Sequence, residues 1–227
     1  MNTRLAVLLT CVLGLVSCVG RPPVSDYEQF YEDSPYTVVA LPVVNETADA
    51  EAPRYFLSTI TQPMVNRGYY VIPVQATADI LAAEGLADGG ALAGVAPEKF
   101  REYFGADAVL YVTLKKWDTT YAILAASVEV AMHYRLVSTV SGEVLWETER
   151  EEVLVSQSGS GGHPLAVLIT AAINAAVTAS ASDYIPMAMQ ANQQAFATLP
   201  AGPYSSRFEE EKRRNLERQA RSRASAR

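Results

Sequence analysis

The segment 127–150, SVEVAMHYRLVSTVSGEVLWETER, reads as two β-strands folded back on each other. Val128, Val130, Met132, Tyr134 and Leu136 share one face of the first strand, and Glu129, His133 and Arg135 share the other. The return strand starts at Glu143 and runs to Ser156. Charge decides the register. A two-residue loop of Ser141-Gly142 would put Leu136 opposite Glu147 and His133 opposite Arg150. A three-residue loop of Val140-Ser141-Gly142 puts Leu136 opposite Trp146, Arg135 opposite Glu147 and His133 opposite Glu149. Opposite charges facing each other across a strand pair stabilise it, and like charges destabilise it. Gly142 also suits the left-handed position of a three-residue hairpin loop. The second register is therefore expected.

Upstream, 107–118 reads as another strand, in which Val109, Tyr111, Thr113 and Lys115 alternate with Leu110, Val112, Leu114 and Lys116. Val38, Val39, Ala40 and Leu41 form a continuous apolar run stopped by Pro42, as in a strand buried on both faces. Residues 69–74 are aromatic and β-branched and end near Pro73, again strand-like. Helical spacing covers 52–67, with Tyr55, Phe56, Ile60, Pro63 and Met64 on one side and Gly68 closing it. Two shorter helices are expected over 76–84 and 97–104, the latter opening on Pro97 and ending at Gly105. Residues 85–94, rich in Gly and Ala, read as a loose loop, and Asn45 and Thr47 as turn caps.

Beyond the hairpin, 157–162 reads as a flexible loop. Residues 164–181 are apolar almost throughout and admit two readings. One is a helix packed on a sheet, where Ala allows close approach. The other is a membrane span, against which the many Ala, Thr170, Asn174, Thr178 and Ser180 count. A further helical piece covers 186–199, and 200–203 ends the body. Residues 206–226 form a charged helix without an apolar stripe. The fold class expected is α/β (α+β) with a charged helical tail.

The start of the chain has a different character. Arg4 precedes an apolar run from Leu5 to Val16, and Leu15-Val16-Ser17-Cys18 closes it. A charged start, a short apolar core and a small residue before the cut make a secretory signal over residues 1–17. The run is shorter than the roughly 20 residues a membrane span needs. Leu-Val-Ser-Cys resembles a bacterial lipobox, in which the Cys18 sulfur takes a diacylglycerol and the new amino terminus is acylated. Cys18 is thus the expected lipidation site, binding membrane by about 0.8 kcal/mol per buried methylene. Gly20, Arg21, Pro22 and Pro23 open a lipidated tether over 18–35, with Tyr27, Phe30 and Tyr31 as apolar footholds. The body is expected over 36–205 and the tail over 206–227.

The chain carries 227 residues, 49% hydrophobic, with 12 Tyr, which excludes wholesale disorder and suits one sizeable domain with appendages. Its two cysteines are Cys11 and Cys18, so removal of the signal and lipidation leave no thiol for a disulfide, metal or nucleophile. The net charge of -7 is uneven. Residues 207–227 hold eight basic and four acidic side chains, a balance of +4, while 18–206 hold nine and twenty-one, a balance of -12. An acidic body argues against nucleic acid. The basic tail is either a solvated helix or a surface for anionic head groups.

Catalytic patterns are missing: no Gly-rich phosphate loop with Lys, no GxSxG and no HExxH. His133 fits a cross-strand partner of Glu149 better than a general base. His163, after Ser160-Gly161-Gly162, would allow a Ser–His hydrolase arrangement, but no third group is indicated. Zinc at His133 lacks the three or four ligands such sites use. Glu147, Glu149, Glu151 and Glu152 suit either calcium or a wet strand face, the latter being the usual role of alternating charge. No catalytic, cofactor-binding or metal-binding residue is therefore assigned.

Leu41-Pro42 with Asn45 and Thr47, Leu57-Ser58-Thr59, and Gly68-Tyr69-Tyr70-Val71-Ile72-Pro73-Val74 carry a family resemblance. So do Gly105-Ala106-Asp107-Ala108-Val109-Leu110-Tyr111, Trp117 and Ser141-Gly142-Glu143-Val144-Leu145-Trp146. In this order they resemble bacterial lipoproteins of unknown function typified by a genome-derived meningococcal antigen. The likeness spans roughly residues 18–205. It implies a fold similar to the amino-terminal domain of the Tol-B periplasmic protein, a mixed sheet with helices on its faces. It implies an outer-membrane lipoprotein, at the periplasmic face, with no catalysis. Relatives of that fold include the curli secretion channel lipoprotein. Val19 after Cys18 agrees with outer-membrane sorting, since Asp there marks inner-membrane retention in enteric bacteria. The expected role is an assembly or interaction component of an envelope or secretion complex, binding curli-channel-like lipoproteins or itself. The alternative is a pore or secretion-channel subunit, with 165–181 or the strands around 122–140 entering the membrane.

Overall fold

The computed structural model describes residues 27–122, 125–155 and 185–225. The signal, Cys18, the loop 157–162, His163 and the apolar segment 164–181 lie outside the described residues. In chain order the elements are α1 (Glu28–Asp33), β1 (Thr37–Ala40), β2 (Val44–Asn45), α2 (Ala52–Thr59), α3 (Thr61–Asn66) and β3 (Tyr70–Val71). Then follow α4 (Val74–Ala83), α5 (Gly89–Leu92), α6 (Pro97–Phe104), β4 (Ala108–Ala122), β5 (Ala125–Ser138), β6 (Val144–Val155), α7 (Ile185–Phe196) and α8 (Phe208–Ser225).

The strands make one mixed sheet in the order β3-β1-β4-β5-β6, with β2 pairing β4 further along. β1 runs parallel to β3 and β4, while β4, β5 and β6 are antiparallel neighbours. The run from Val38 to Leu41 is buried on both sides, as its unbroken apolar character requires. The main core lies on one face of the sheet. There Leu110, Val112, Leu114, Trp117, Met132, Tyr134, Leu136 and Trp146 meet Phe56, Ile60, Met64 and Phe196 from α2, α3, α7 and the residue joining α2 to α3. Ala188, Ala191 and Ala195 recur at helical spacing on α7 and are fully buried, so α7 comes close to α2. Asn192, on the same face, donates to the Phe56 carbonyl at 3.0 Å and to Thr59 Oγ1 at 2.8 Å, and accepts from the Tyr134 hydroxyl at 2.6 Å. One amide thereby ties α7 to α2 and to β5.

A smaller core lies on the opposite face, where Leu81, Leu92 and Phe100 cover Val39, Leu41 and Val109. It covers the β1–β4 side of the sheet. The loose loop expected over 85–94 is in part this second layer. Asp88 caps α5 by accepting from the Gly90 N–H at 2.9 Å, and Leu92 is buried. Gly89 permits it, because a Cβ there would stand 2.1 Å from the Pro42 carbonyl oxygen.

Three other expectations change. The single helix over 52–67 is two helices meeting at Ile60. Pro63 has no N–H to give the Thr59 carbonyl, and its ring crowds that carbonyl. The buried side persists through Phe56, Ile60, Pro63 and Met64, so the apolar phase hid the break. The tether read up to residue 35 ends earlier, since α1 packs its fully buried Phe30 into the main core. The tail helix forms as expected, but despite lacking an apolar stripe it docks: Phe208 is buried against Tyr31, with ring centroids 5.8 Å apart, and Asn215 is buried too.

The hairpin has the expected register, Leu136 opposite Trp146, Arg135 opposite Glu147 and His133 opposite Glu149. Its loop is built differently. The Ser138 N–H donates to the Glu143 carbonyl and the Gly142 N–H to the Ser138 carbonyl, leaving Thr139 to Gly142 in the loop. Gly142 is left-handed at φ 73°. The added loop residue is cancelled by a bulge at Leu145, which turns both Leu145 and Trp146 into the core.

Candidate functional site

β4 carries a matching irregularity at Lys115, between the pairs Leu114–Met132 and Lys116–Ala131. The bulge absorbs two consecutive lysines that both leave the core, and returns Trp117 to it. Lys115 and Lys116 thus join the outward face of the hairpin, with Glu129, His133 and Arg135 of β5 and Glu147, Glu149 and Glu151 of β6. Among the described residues, no helix covers the β5–β6 part of this face with a buried apolar cluster.

The charges there form a ladder. Lys115 Nζ lies 2.6 Å from Glu149 Oε1, reaching over β5 to do so. Lys116 Nζ lies 2.7 Å from Glu129 Oε2. His133 Nε2 lies 2.7 Å from Glu147 Oε1, and Arg135 Nε 3.6 Å from the same oxygen. Hydrogen bonds from Lys115 and Lys116 hold the Glu149 and Glu129 carboxyls below their ordinary range and raise both lysines. All four groups are solvated, so the ladder contributes to register more than to stability.

A groove of about 280 Å³ runs beside the ladder, between β4–β5 and the α5–α6 layer, lined by Tyr111, Thr113, His133 and Arg135. Burial raises the Tyr111 hydroxyl above its ordinary value, against an opposing pull from Arg135. The His133 imidazole is engaged by a carboxylate, and among the described residues no hydroxyl or thiol hydrogen-bonds to it. The four glutamates do not share a face. Glu147, Glu149 and Glu151 point outward, whereas Glu152 lies across from Val130 on the core side. Burial raises the Glu152 carboxyl, and its Oε2 and the Arg150 Nε are buried without hydrogen-bond partners among the described residues. Among the described residues no three His, Cys, Asp or Glu side chains converge on a metal-sized space.

β6 is the edge of the described sheet and runs for 12 residues. Its glutamates and arginine blunt it as an indiscriminate template, while Val144 and Val153, 39% and 59% exposed, leave apolar footholds along it. The opposite edge, β3, has two residues and stands beside Tyr36 and Tyr204, whose rings meet edge-on at 5.3 Å. Over residues 130–136 the apolar face of β5 is buried in the core through Val130, Met132, Tyr134 and Leu136. Among the described residues, no helix is long and apolar enough to cross a membrane. Cys18 and His163, the expected lipidation site and the conceivable base, lie outside the described residues. Sequence reasoning missed the role of Lys115. The signal was present, since a regular pleat would turn one of two adjacent lysines toward the core.

The family described as "Putative lipoprotein GNA1162-like" matches residues 25–202. The chain belongs to the GNA1162-like lipoprotein family. "Putative lipoprotein NMB1124/NMB1162" of Neisseria meningitidis is 32% identical over 167 residues, covering 73% of this chain and 77% of the relative. The crystal structure of lipoprotein GNA1162 from Neisseria meningitidis superposes with a TM-score of 0.51 at 28% identity, covering 64% of this chain and all of that one. The resemblance read from the motifs is thus the family, and the GNA1162-like α/β fold is the expected one. Membership implies a lipid-anchored place in the cell envelope.

Proposed function

We propose that this GNA1162-like protein is a non-enzymatic assembly component, anchored through Cys18 in the outer membrane with its body in the periplasm. It engages an envelope partner through the β6 edge and the charged outer face of the hairpin. The observation that carries this is the long, charge-patterned strand at the sheet edge, flanked by exposed Val144 and Val153. Strand addition there would draw on main-chain hydrogen bonds for affinity and on the glutamate ladder for choice of partner. The burial of Val130, Met132, Tyr134 and Leu136 of β5 inside the domain favours this over a pore subunit built on those residues.

The test is site-specific photocrosslinking in living cells. A crosslinker at Glu151 or Val153 should give a discrete adduct with an envelope protein or a second copy, and one at the exposed Tyr103 should not. No adduct from β6, or equal adducts from all three positions, would overturn the reading. Mass spectrometry of the mature amino terminus tests the anchor separately, a diacylglyceryl thioether on Cys18 being expected.

A further inference from the structure

A cleft of about 400 Å³ lies between α1, the turn carrying Arg67, and α8. That volume suits a small polar ligand. The cleft is built, since its walls are pinned. Arg67 donates to the Leu199 carbonyl and lies 3.6 Å from Glu211, whose Oε2 also accepts from the Ala201 N–H at 2.8 Å. At the far end of α8, Arg223 donates to both oxygens of Glu28 on α1, at 2.9 and 3.2 Å.

Arg214, Arg218 and Arg221 recur at i, i+4 and i+7 and line one side of the cleft. Their partners are unequally distributed. Arg214 is taken by Glu210, and Glu217 at the rim faces Arg213 at 3.9 Å. Arg218 and Arg221 have no carboxylate among the described residues. Tyr27 and Tyr31 form the facing wall, and the Tyr31 hydroxyl, pushed up to about 12 by burial first and by Glu211 second, stays a donor at any physiological pH. Arg67, which also lines the cleft, keeps a buried Nε–H without a partner among the described residues. Forked guanidinium and phenol donors suit a tetrahedral oxyanion, and the two carboxylates that share the lining, Glu211 and Glu217, face Arg67 and Arg213.

We propose that this cleft binds a phosphate group, of the kind borne by an anionic phospholipid headgroup or a phosphorylated solute. The headgroup as source rests on the lipid-anchor reading above. Tyr27 is nine residues from Cys18, a reach of at most roughly 30 Å of extended chain. An anchored protein would hold the cleft within range of the bilayer surface.

The experiment uses the mature lipidated protein in neutral detergent micelles. One arm titrates inorganic phosphate and follows arginine and tyrosine side-chain resonances. The other compares micelles doped with phosphatidylglycerol and with phosphatidylcholine. Saturable phosphate binding is expected, weakened about tenfold or more in Arg218→Gln/Arg221→Gln. Both residues are exposed, so circular dichroism should show the fold unchanged. Arg54→Gln/Arg207→Gln removes the same charge outside the cleft and should leave binding intact. Competition by phosphatidylglycerol alone supports the headgroup, and phosphate binding without it supports a soluble phosphate. No saturable binding, or equal weakening by both double variants, would overturn the proposal. An unmodified Cys18 would remove the anchor reading and leave the phosphate titration unaffected.

Discussion

His133 stands directly opposite Glu149 in the β5–β6 register, yet its imidazole lies 2.7 Å from Glu147, one step along the same face. Glu149 is taken by Lys115, at 2.6 Å, from beyond β5. The Lys115 ammonium makes a charge-assisted hydrogen bond to Glu149 and so occupies the carboxylate that faces His133. Diagonal neighbours across a strand pair are within reach of a long side chain, so His133 loses little by turning to Glu147.

Removing Lys115 should therefore release Glu149. In Lys115→Met the Glu149 carboxyl should titrate closer to its ordinary value, and the His133 ring resonances should shift as it becomes a candidate partner. Carboxylate and imidazole NMR titrations check both. The sign is fixed by the depressed carboxyl. Its contribution to stability is present above the ordinary glutamate range and lost as pH falls through the lowered folded value, so the variant should differ from wild type least in acid.

Glu152 should behave in the opposite sense. Burial raises its carboxyl, so the folded state holds the proton more tightly than the unfolded chain. That contribution is present in acid, below the unfolded value, and lost as pH rises through the folded value. Glu152→Gln should gain stability relative to wild type between pH 4 and pH 8, measured by urea unfolding at each. An advantage that shrank with rising pH would contradict the burial argument.

Asn192 is fully buried and serves three partners at once. Asn192→Ala removes all three bonds and leaves a small cavity; the Tyr134 hydroxyl keeps only the weak Met132 sulfur acceptor, while Thr59 still donates to the Tyr55 and Phe56 carbonyls. A loss of about 2–4 kcal/mol is expected in chemical denaturation. Tyr134→Phe, which removes one of the three bonds and leaves the shape, should cost about 1–2 kcal/mol.

Gly89 and Gly94 bracket α5 and should respond differently to the same change. A methyl at Gly89 meets the Pro42 carbonyl, whereas one at Gly94 meets nothing within 4 Å. Gly89→Ala should cost about 1–3 kcal/mol by forcing the second layer off the sheet. Gly94→Ala should be neutral or stabilise by up to about 1 kcal/mol through the unfolded chain. Thermal melts of the pair report both.

The hairpin register was legible because its charges admit one satisfactory pairing. The loop length was not, because a residue added at Thr139 and one spared at Leu145 leave the same partners facing. Pro63 announced the break at Ile60 by its chemistry, but the buried spacing continued across it. The second layer was hidden in a stretch whose glycines suggest looseness, although Gly89 is there for contact. Of the hairpin face, the strands and their outward charges were readable. The choice of Glu147 over Glu149 by His133 was not, since it depends on a third strand. The cleft around Arg67 unites residues more than 140 positions apart, Arg67 and Glu211 among them, and only the topology brings them together.

The ion pair between Glu28 and Arg223 brings the first and last described helices side by side. A spectroscopic label placed near residue 223 therefore reports the whereabouts of residue 28. Distances measured from such a label to a bilayer would locate the chain's point of entry into the body, while the hairpin tip would need a probe of its own.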